Sequence, residues 1–192
     1  MNGESRWIAA CLSAGVALGV YPPTAANVRF MSGMIIHHWQ AVVIAGWAPT
    51  HGASPTVRLL CDRINVSQRD EIALMANWLR ERHEPVPDTS SAGTQTMPGM
   101  EGPMLMPGML TAEQLAQLDR AKGPDFDRLF LTFMIQHHEG ALTMVQRLLS
   151  APGAAQDGVV FQFATGVSAD QTAEIDRMRR MLAALPAGDK RP

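Results

Sequence analysis

Apolar and polar positions along the chain fall into long stretches of helical period, separated by short breaks rich in proline and glycine. From about Ala25 to Trp47, Phe30, Met34, His37, Ala41 and Ile44 recur at spacings of three and four. They form one stripe of an amphipathic helix. Pro49, Gly52 and Pro55 interrupt it. Ser54-Pro55 supplies a cap and a first helical residue, and a second helix is predicted from there to about Arg82, stopped by Pro85 and Pro87. Thr111-Ala112-Glu113-Gln114 reads as a capping box for a short helix ending near Gly123. Pro124 and Asp125 open a third long helix, to about Ser150. Pro152 and Gly153 break the chain, and a fourth long helix runs from about Asp157 to Leu185.

Within these helices the residues repeat. Met-Ile-Ile-His-His at 34–38 returns as Met-Ile-Gln-His-His at 134–138. Phe30, Met34, His37, His38 and Ala41 match Phe130, Met134, His137, His138 and Ala141, all 100 residues on. Gln68-x-x-Glu71-Ile72-x-x-Met75 returns as Gln171-x-x-Glu174-Ile175-x-x-Met178. The chain is two copies of one helical hairpin: a His-His helix, a short loop, and a Gln-x-x-Glu helix. Two hairpins with apolar stripes bury them against each other, which predicts an all-α fold, a four-helix bundle. The first repeat is expected over 27–85 and a Met/Pro/Gly-rich linker over 86–110. The short helix and second repeat follow over 111–185, and the parts together make one bundle domain.

A helix turns about 100° per residue. With Phe30 at zero, His37 lies at about −20°, Met34 at about 40° and His38 at about 80°, so His37 is central in the stripe and His38 at its edge. His137 and His138 repeat this, with Met134 on one side and Met144 on the other. On the second helix Gln68, Ile72, Met75 and Leu79 share a face, with Glu71 about 60° round and Cys61 two turns earlier. The fourth helix repeats the arrangement with Gln171, Glu174, Ile175 and Met178, but has Ala164 in place of Cys61.

Composition narrows the classes. Apolar residues make up 46% of 192, enough for a core, while a net charge of −2 without a Lys/Arg stripe gives no footprint for nucleic acid. Thirteen methionines, several in the polar linker, point away from core filling alone. Arg6 followed by the apolar stretch Trp7–Val20 and the small residues Pro23-Thr24-Ala25-Ala26 reads as an export signal over 1–26. That predicts a periplasmic or secreted protein. With Cys11 removed alongside the signal, Cys61 is left alone, either a buried inert thiol or a soft metal ligand.

The interior of such a bundle receives imidazole, thioether and carboxylate from both hairpins, the setting in which bundles build metal sites. The candidate metal-binding residues are Met34, His37, His38, Met134, His137 and His138, then Glu71, Met75, Glu174 and Met178. Glu71 and Glu174 also suit the role of orienting imidazole N–H groups. The methionines equally suit plain core packing. Accessory candidates are Met97, Met100, Met104, Met106 and Met109 of the linker, with Met144 and Cys61. Thioether with imidazole favours copper, Cu(I) above all; zinc fits His and Glu, and carboxylate-rich sets fit iron or manganese. A di-iron bundle needs a Glu-x-x-His motif on each of two helices and a further Glu on each of the others, which this chain does not offer.

The motifs resemble the family known as domain of unknown function 305. Its hallmark is Asp-x-x-Phe-x-x-x-Met-Ile-x-His-His-x-x-Ala, often present twice, followed by Gln-x-x-Glu-Ile-x-x-Met. Asp127, Phe130, Met134, His137, His138 and Ala141 fit the second copy fully. The first copy has Asn27 for Asp, and Ile44 where the second has Met144. The resemblance implies a ferritin-like helical bundle, usually exported in bacteria, with some members associated with copper binding and tolerance. It also implies weaker binding in the first copy, if those positions serve the site. The leading expectation is an exported copper-binding protein that sequesters or passes on the ion, with a metal donor or acceptor protein as partner. The alternatives are a ferritin-like metal-dependent oxidoreductase and a structural or interaction bundle without metal.

Overall fold

The structure, a computed structural model, describes residues 23–89 and 105–186. Most of the expected export signal, with Cys11, lies outside the described residues, as do Met97, Met100 and Met104. Among the described residues there are five α-helices: α1 Ala25–Ala45, α2 Pro55–Glu81, α3 Ala112–Arg120, α4 Gly123–Leu149 and α5 Gly158–Ala184. None of the described helices is long and apolar enough to cross a membrane.

The helix ends follow the local chemistry. Thr24 caps α1 by accepting from the Asn27 N–H at 3.1 Å. Ser54 caps α2, whose first residue is Pro55, by accepting from the Val57 N–H. Thr111 and Gln114 form the reciprocal capping box of α3. Asp157 caps α5 by accepting from the Val159 and Val160 N–H groups, both at 3.0 Å. These contacts satisfy N–H groups that a helix start leaves without internal partners.

α1 packs against α2 and α4 against α5, and the two hairpins meet through α1 and α4. The core falls into two apolar clusters. One holds Phe30, Met34 and Met75 of the first hairpin with Ala141, Val145, Phe163 and Ala164 of the second. The other holds Ala41, Ile44 and Cys61 of the first with Phe130, Met134, Ile175 and Met178 of the second. Repeat-equivalent residues are thus split between the clusters: Phe30 and Phe130, Met34 and Met134, Ala41 and Ala141, Met75 and Met178. That exchange is what an approximate two-fold relation between the hairpins produces, with α1 and α4 antiparallel. Between the clusters, at the middle of the helices, sit the buried polar residues His37, His38, His137, His138, Gln68 and Gln171.

The turns at one end are tied across the hairpins. Asp127, 2% exposed, accepts the Ser54 backbone N–H on both carboxylate oxygens, at 3.1 and 3.3 Å. The Gly123 N–H donates to the His51 carbonyl at 2.8 Å, and His51 Nε2 reaches the Asp119 carbonyl at 2.9 Å. His51 is itself buried and stacks on Trp47. Asp127→Ala should lower unfolding free energy by about 1–3 kcal/mol, because it strands the Ser54 N–H. Asp127→Asn, which keeps one acceptor, should cost less. Urea denaturation of the two variants checks this, and equal losses would count against the tie.

Candidate metal centre

All four histidines of the repeated pairs are fully buried, at 0% exposure. For His38 and His138 this differs from the edge position that helical phasing predicts. The reason is that α2 and α5 cover the edge of the stripe. Each flanking helix brings a carboxylate to it. His38 Nε2 lies 2.6 Å from Glu71 Oε2, and His138 Nε2 lies 2.6 Å from Glu174 Oε2. Both glutamates keep one side open to solvent, with side chains 21% and 23% exposed.

His37 and His137 meet across the α1–α4 contact, with ring centroids 3.9 Å apart and planes inclined by 37°. Their Nε2 atoms face main-chain carbonyls. His37 Nε2 donates to Pro107 O at 2.9 Å, and His137 Nε2 donates to His37 O at 3.0 Å. A carbonyl only accepts, so both rings carry their proton on Nε2. A carboxylate partner puts the His38 and His138 protons on Nε2 as well. The four Nδ1 atoms are then bare lone pairs, and none of them has a hydrogen-bond partner. The Gln68 and Gln171 amides, 1% and 3% exposed, are likewise without partners on nitrogen and oxygen.

The rings of the central pair are held neutral. Burial, then the nearby His38, pushes the His37 pKa down to about 3, against a smaller raising effect of its bond to Pro107. His137 is lowered well below the ordinary histidine value by burial first, then by His37, His138 and His38. Neutral imidazole with a free Nδ1 and an anchored Nε2–H is the form in which histidine ligates metals.

Thioethers stand on either side of this layer. Met34 and Met75 share one apolar cluster, Met134 and Met178 the other, and all four are 0% exposed. Among the described residues, no three or more His, Cys, Asp or Glu side chains are gathered as they would be around a metal ion. A closed tetrahedral shell of the zinc type is therefore not preassembled here. The donors near the layer are imidazole nitrogen and thioether sulfur.

The accessory candidates separate. Cys61 lies in an apolar cluster two turns before Gln68, about 10 Å along the helix. Burial, then Asp62, raises its thiol to about 12, so it stays protonated and apart from the histidine layer. Met106 and Met144 line a common cavity of about 220 Å³, together with Phe30 and Pro107. Met109 is buried at 6% exposure. Glu139, with no counterpart in the first repeat, is on the surface and pairs with Arg179 at 2.7 Å.

The linker's methionines stood out in the sequence, but its main-chain contacts with the bundle did not. Besides Pro107, Leu110 exchanges two hydrogen bonds with the buried Gln40 amide, N–H to Oε1 at 2.7 Å and Nε2 to O at 3.1 Å. The available signal was the mismatch of Gln40 with Gly140 at equivalent positions of the repeat.

The chain is a duplicated helical hairpin that buries paired histidines against paired glutamates. The chain belongs to the family described as domain of unknown function (DUF305), whose pattern matches residues 27–182. Among solved structures, a DUF305 protein of Streptomyces coelicolor is 26% identical, with a TM-score of 0.71 over 87% of this chain and 98% of that one. A DUF305 fragment from Deinococcus radiodurans is 28% identical, with a TM-score of 0.71 over 86% and 100%. CopM in its Cu(II)-bound form is 26% identical, with a TM-score of 0.60 over 82% and 95%; the same protein is also solved with Cu(I) and with Ag. No curated protein sequence matches the chain.

The depressed histidines make stability depend on pH in a defined direction. The unfolded chain takes up protons on these rings as pH falls below about 6.5, while the native state does not. Stability is complete above that value and declines toward pH 3 for His37, by about 1.4 kcal/mol per pH unit per histidine. Urea unfolding of metal-free protein between pH 7 and 5 should show this fall, with His137 adding to it. His37→Ala should flatten the slope by about one proton's worth. A free energy flat across that window would contradict the buried neutral rings.

Proposed function

We propose that this protein binds copper outside the cytoplasm, holding the ion in the histidine layer to sequester it or pass it to a partner protein. The observation that carries the reading is the set of four buried, unpartnered Nδ1 lone pairs, each on a ring whose Nε2 is already anchored. A buried polar atom without a partner costs about 1–3 kcal/mol. Four in one bundle interior, beside two unpartnered amides, support a reading in which bound ions complete some of them. Met34, His37, His38, Met134, His137 and His138 are the ligand candidates. Met75 and Met178 stand behind them in the same clusters, while Glu71 and Glu174 orient His38 and His138.

Copper is favoured over zinc or iron by ligand softness, since thioethers flank the imidazoles and, among the described residues, two carboxylates, Glu71 and Glu174, are bonded to the layer. The likeness to CopM, solved with Cu(II), supports the same choice. Export rests on the apolar stretch Trp7–Val20 and on the Streptomyces coelicolor neighbour, described as a candidate secreted protein.

The test is anaerobic Cu(I) titration against a chromophoric chelator, repeated with Cu(II) and Zn(II). The expected result is tight Cu(I) binding that His37→Ala with His137→Ala removes or reduces in stoichiometry. Glu71→Gln with Glu174→Gln should weaken it roughly 10–100-fold, as loss of an imidazole-orienting partner does. Unchanged Cu(I) affinity and stoichiometry in the double histidine variant would sink the proposal.

A further inference from the structure

The two hairpins do not treat their histidines alike. His38 and His138 have equivalent partners, Glu71 and Glu174, at the same 2.6 Å. His37 and His137 do not. His137 donates to the carbonyl of His37, but His37 donates to Pro107, a residue outside both repeats. The first copy's inward histidine is therefore held by the linker.

The linker is built onto the bundle at that point. Gly108 has φ +76°, a conformation that residues with a Cβ rarely adopt. A Cβ there would come 2.5 Å from Gln136 O and 2.7 Å from the Gly140 Cα. A Cβ on Gly140 would fall on the Pro107 carbonyl group itself. Main chain lies directly on main chain, and only glycine at both positions permits it. Gln136 Nε2 donates to Gly108 O at 3.3 Å, and Gln40 holds both polar groups of Leu110. Position 40 of the first repeat and its equivalent 140 in the second thus do complementary work. One reaches out to grip the strap, and the other has no side chain so that the strap can lie down.

Resting on the copper reading of the histidine layer, we propose that the 107–110 strap is the positioning element of the first repeat's metal-binding histidine, with Gly140 as its seat. Donation from His37 Nε2 to Pro107 O fixes the ring's proton on Nε2 and leaves Nδ1 as the donor. Without the strap the buried Nε2–H has no acceptor, and the ring rotates or changes tautomer. His138 and its Glu174 partner do not depend on the strap.

The test compares the full wild-type chain with Gly140→Ala, and with Gly166→Ala as a control, since a Cβ on Gly166 meets nothing within 4 Å. Nitrogen-15 NMR of the metal-free proteins reads tautomer and N–H exchange. In the wild type, His37 should be a pure Nε2–H tautomer with a slowly exchanging proton. Gly140→Ala should mix its tautomers and speed its exchange, leaving His138 unchanged. Cu(I) titration should show one binding component weakened about 10–100-fold, the range for losing an orienting partner. Gly166→Ala should match the wild type in both measurements. A wild-type His37 protonated on Nδ1 overturns the proposal whether or not the variant folds, and so does a folded Gly140→Ala with unaltered His37 signals and Cu(I) affinity. A wild-type chain that binds no copper overturns the copper reading and the strap's role in binding together. Intact copper binding unshifted in Gly140→Ala overturns the strap's role alone.

Discussion

Four imidazoles buried in a layer between two apolar clusters impose one requirement: each ring has a single N–H, and no water competes to receive it. An unmet donor there would cost about 1–3 kcal/mol. The rest of the arrangement answers that requirement. α2 and α5 lie where they do at this level so that Glu71 and Glu174 meet His38 and His138. α1 and α4 approach closely enough for His137 to reach the His37 carbonyl, and the linker lies over them so that Pro107 receives His37. Once every Nε2–H is placed, every Nδ1 is committed to the interior as a lone pair.

The same burial sets the chemistry available. Desolvation holds His37 and His137 neutral, and proximity of the other rings reinforces it. A cation entering this layer meets nitrogen and sulfur donors in a medium of low dielectric, with carboxylates only at the solvent edge. On the copper reading, that combination would select by softness rather than by charge. Cys61, a further soft donor in the described interior, is kept protonated by its apolar cluster and lies away from the layer.

Duplication explains the near-symmetry, and a few substitutions explain where it fails. The difference between Asn27 and Asp127 first looks like a weakened ligand set in the first copy. Asp127 is instead engaged with the Ser54 N–H, tying the turn of the first hairpin to the start of α4. That exchange concerns how the hairpins are joined. The asymmetry that touches the histidines is Gln40 against Gly140, because it decides on which side the linker crosses.

The helices, their caps and the pairing of His-Met with Gln-x-x-Glu were legible in the sequence. A period near 3.6 and residues such as Ser54, Thr111 and Asp157 act within a few positions of themselves. Met34, Met75, Met134 and Met178 were placed inward by the same phasing, and they are buried. Phasing gives a direction around one helix, but not what stands opposite. Hence His38 and His138 seemed to lie at an edge until α2 and α5 closed over them. That Glu71 and Glu174 each come within 2.6 Å of a histidine Nε2 was likewise beyond what helical phasing could give. The acceptors of His37 and His137 are main-chain carbonyls, which every residue carries and no side-chain pattern marks. The sequence by itself determined which residues would meet in the middle of the bundle. Only the tertiary structure decided which nitrogen of each ring is free, because that depends on groups brought together from four helices and a linker.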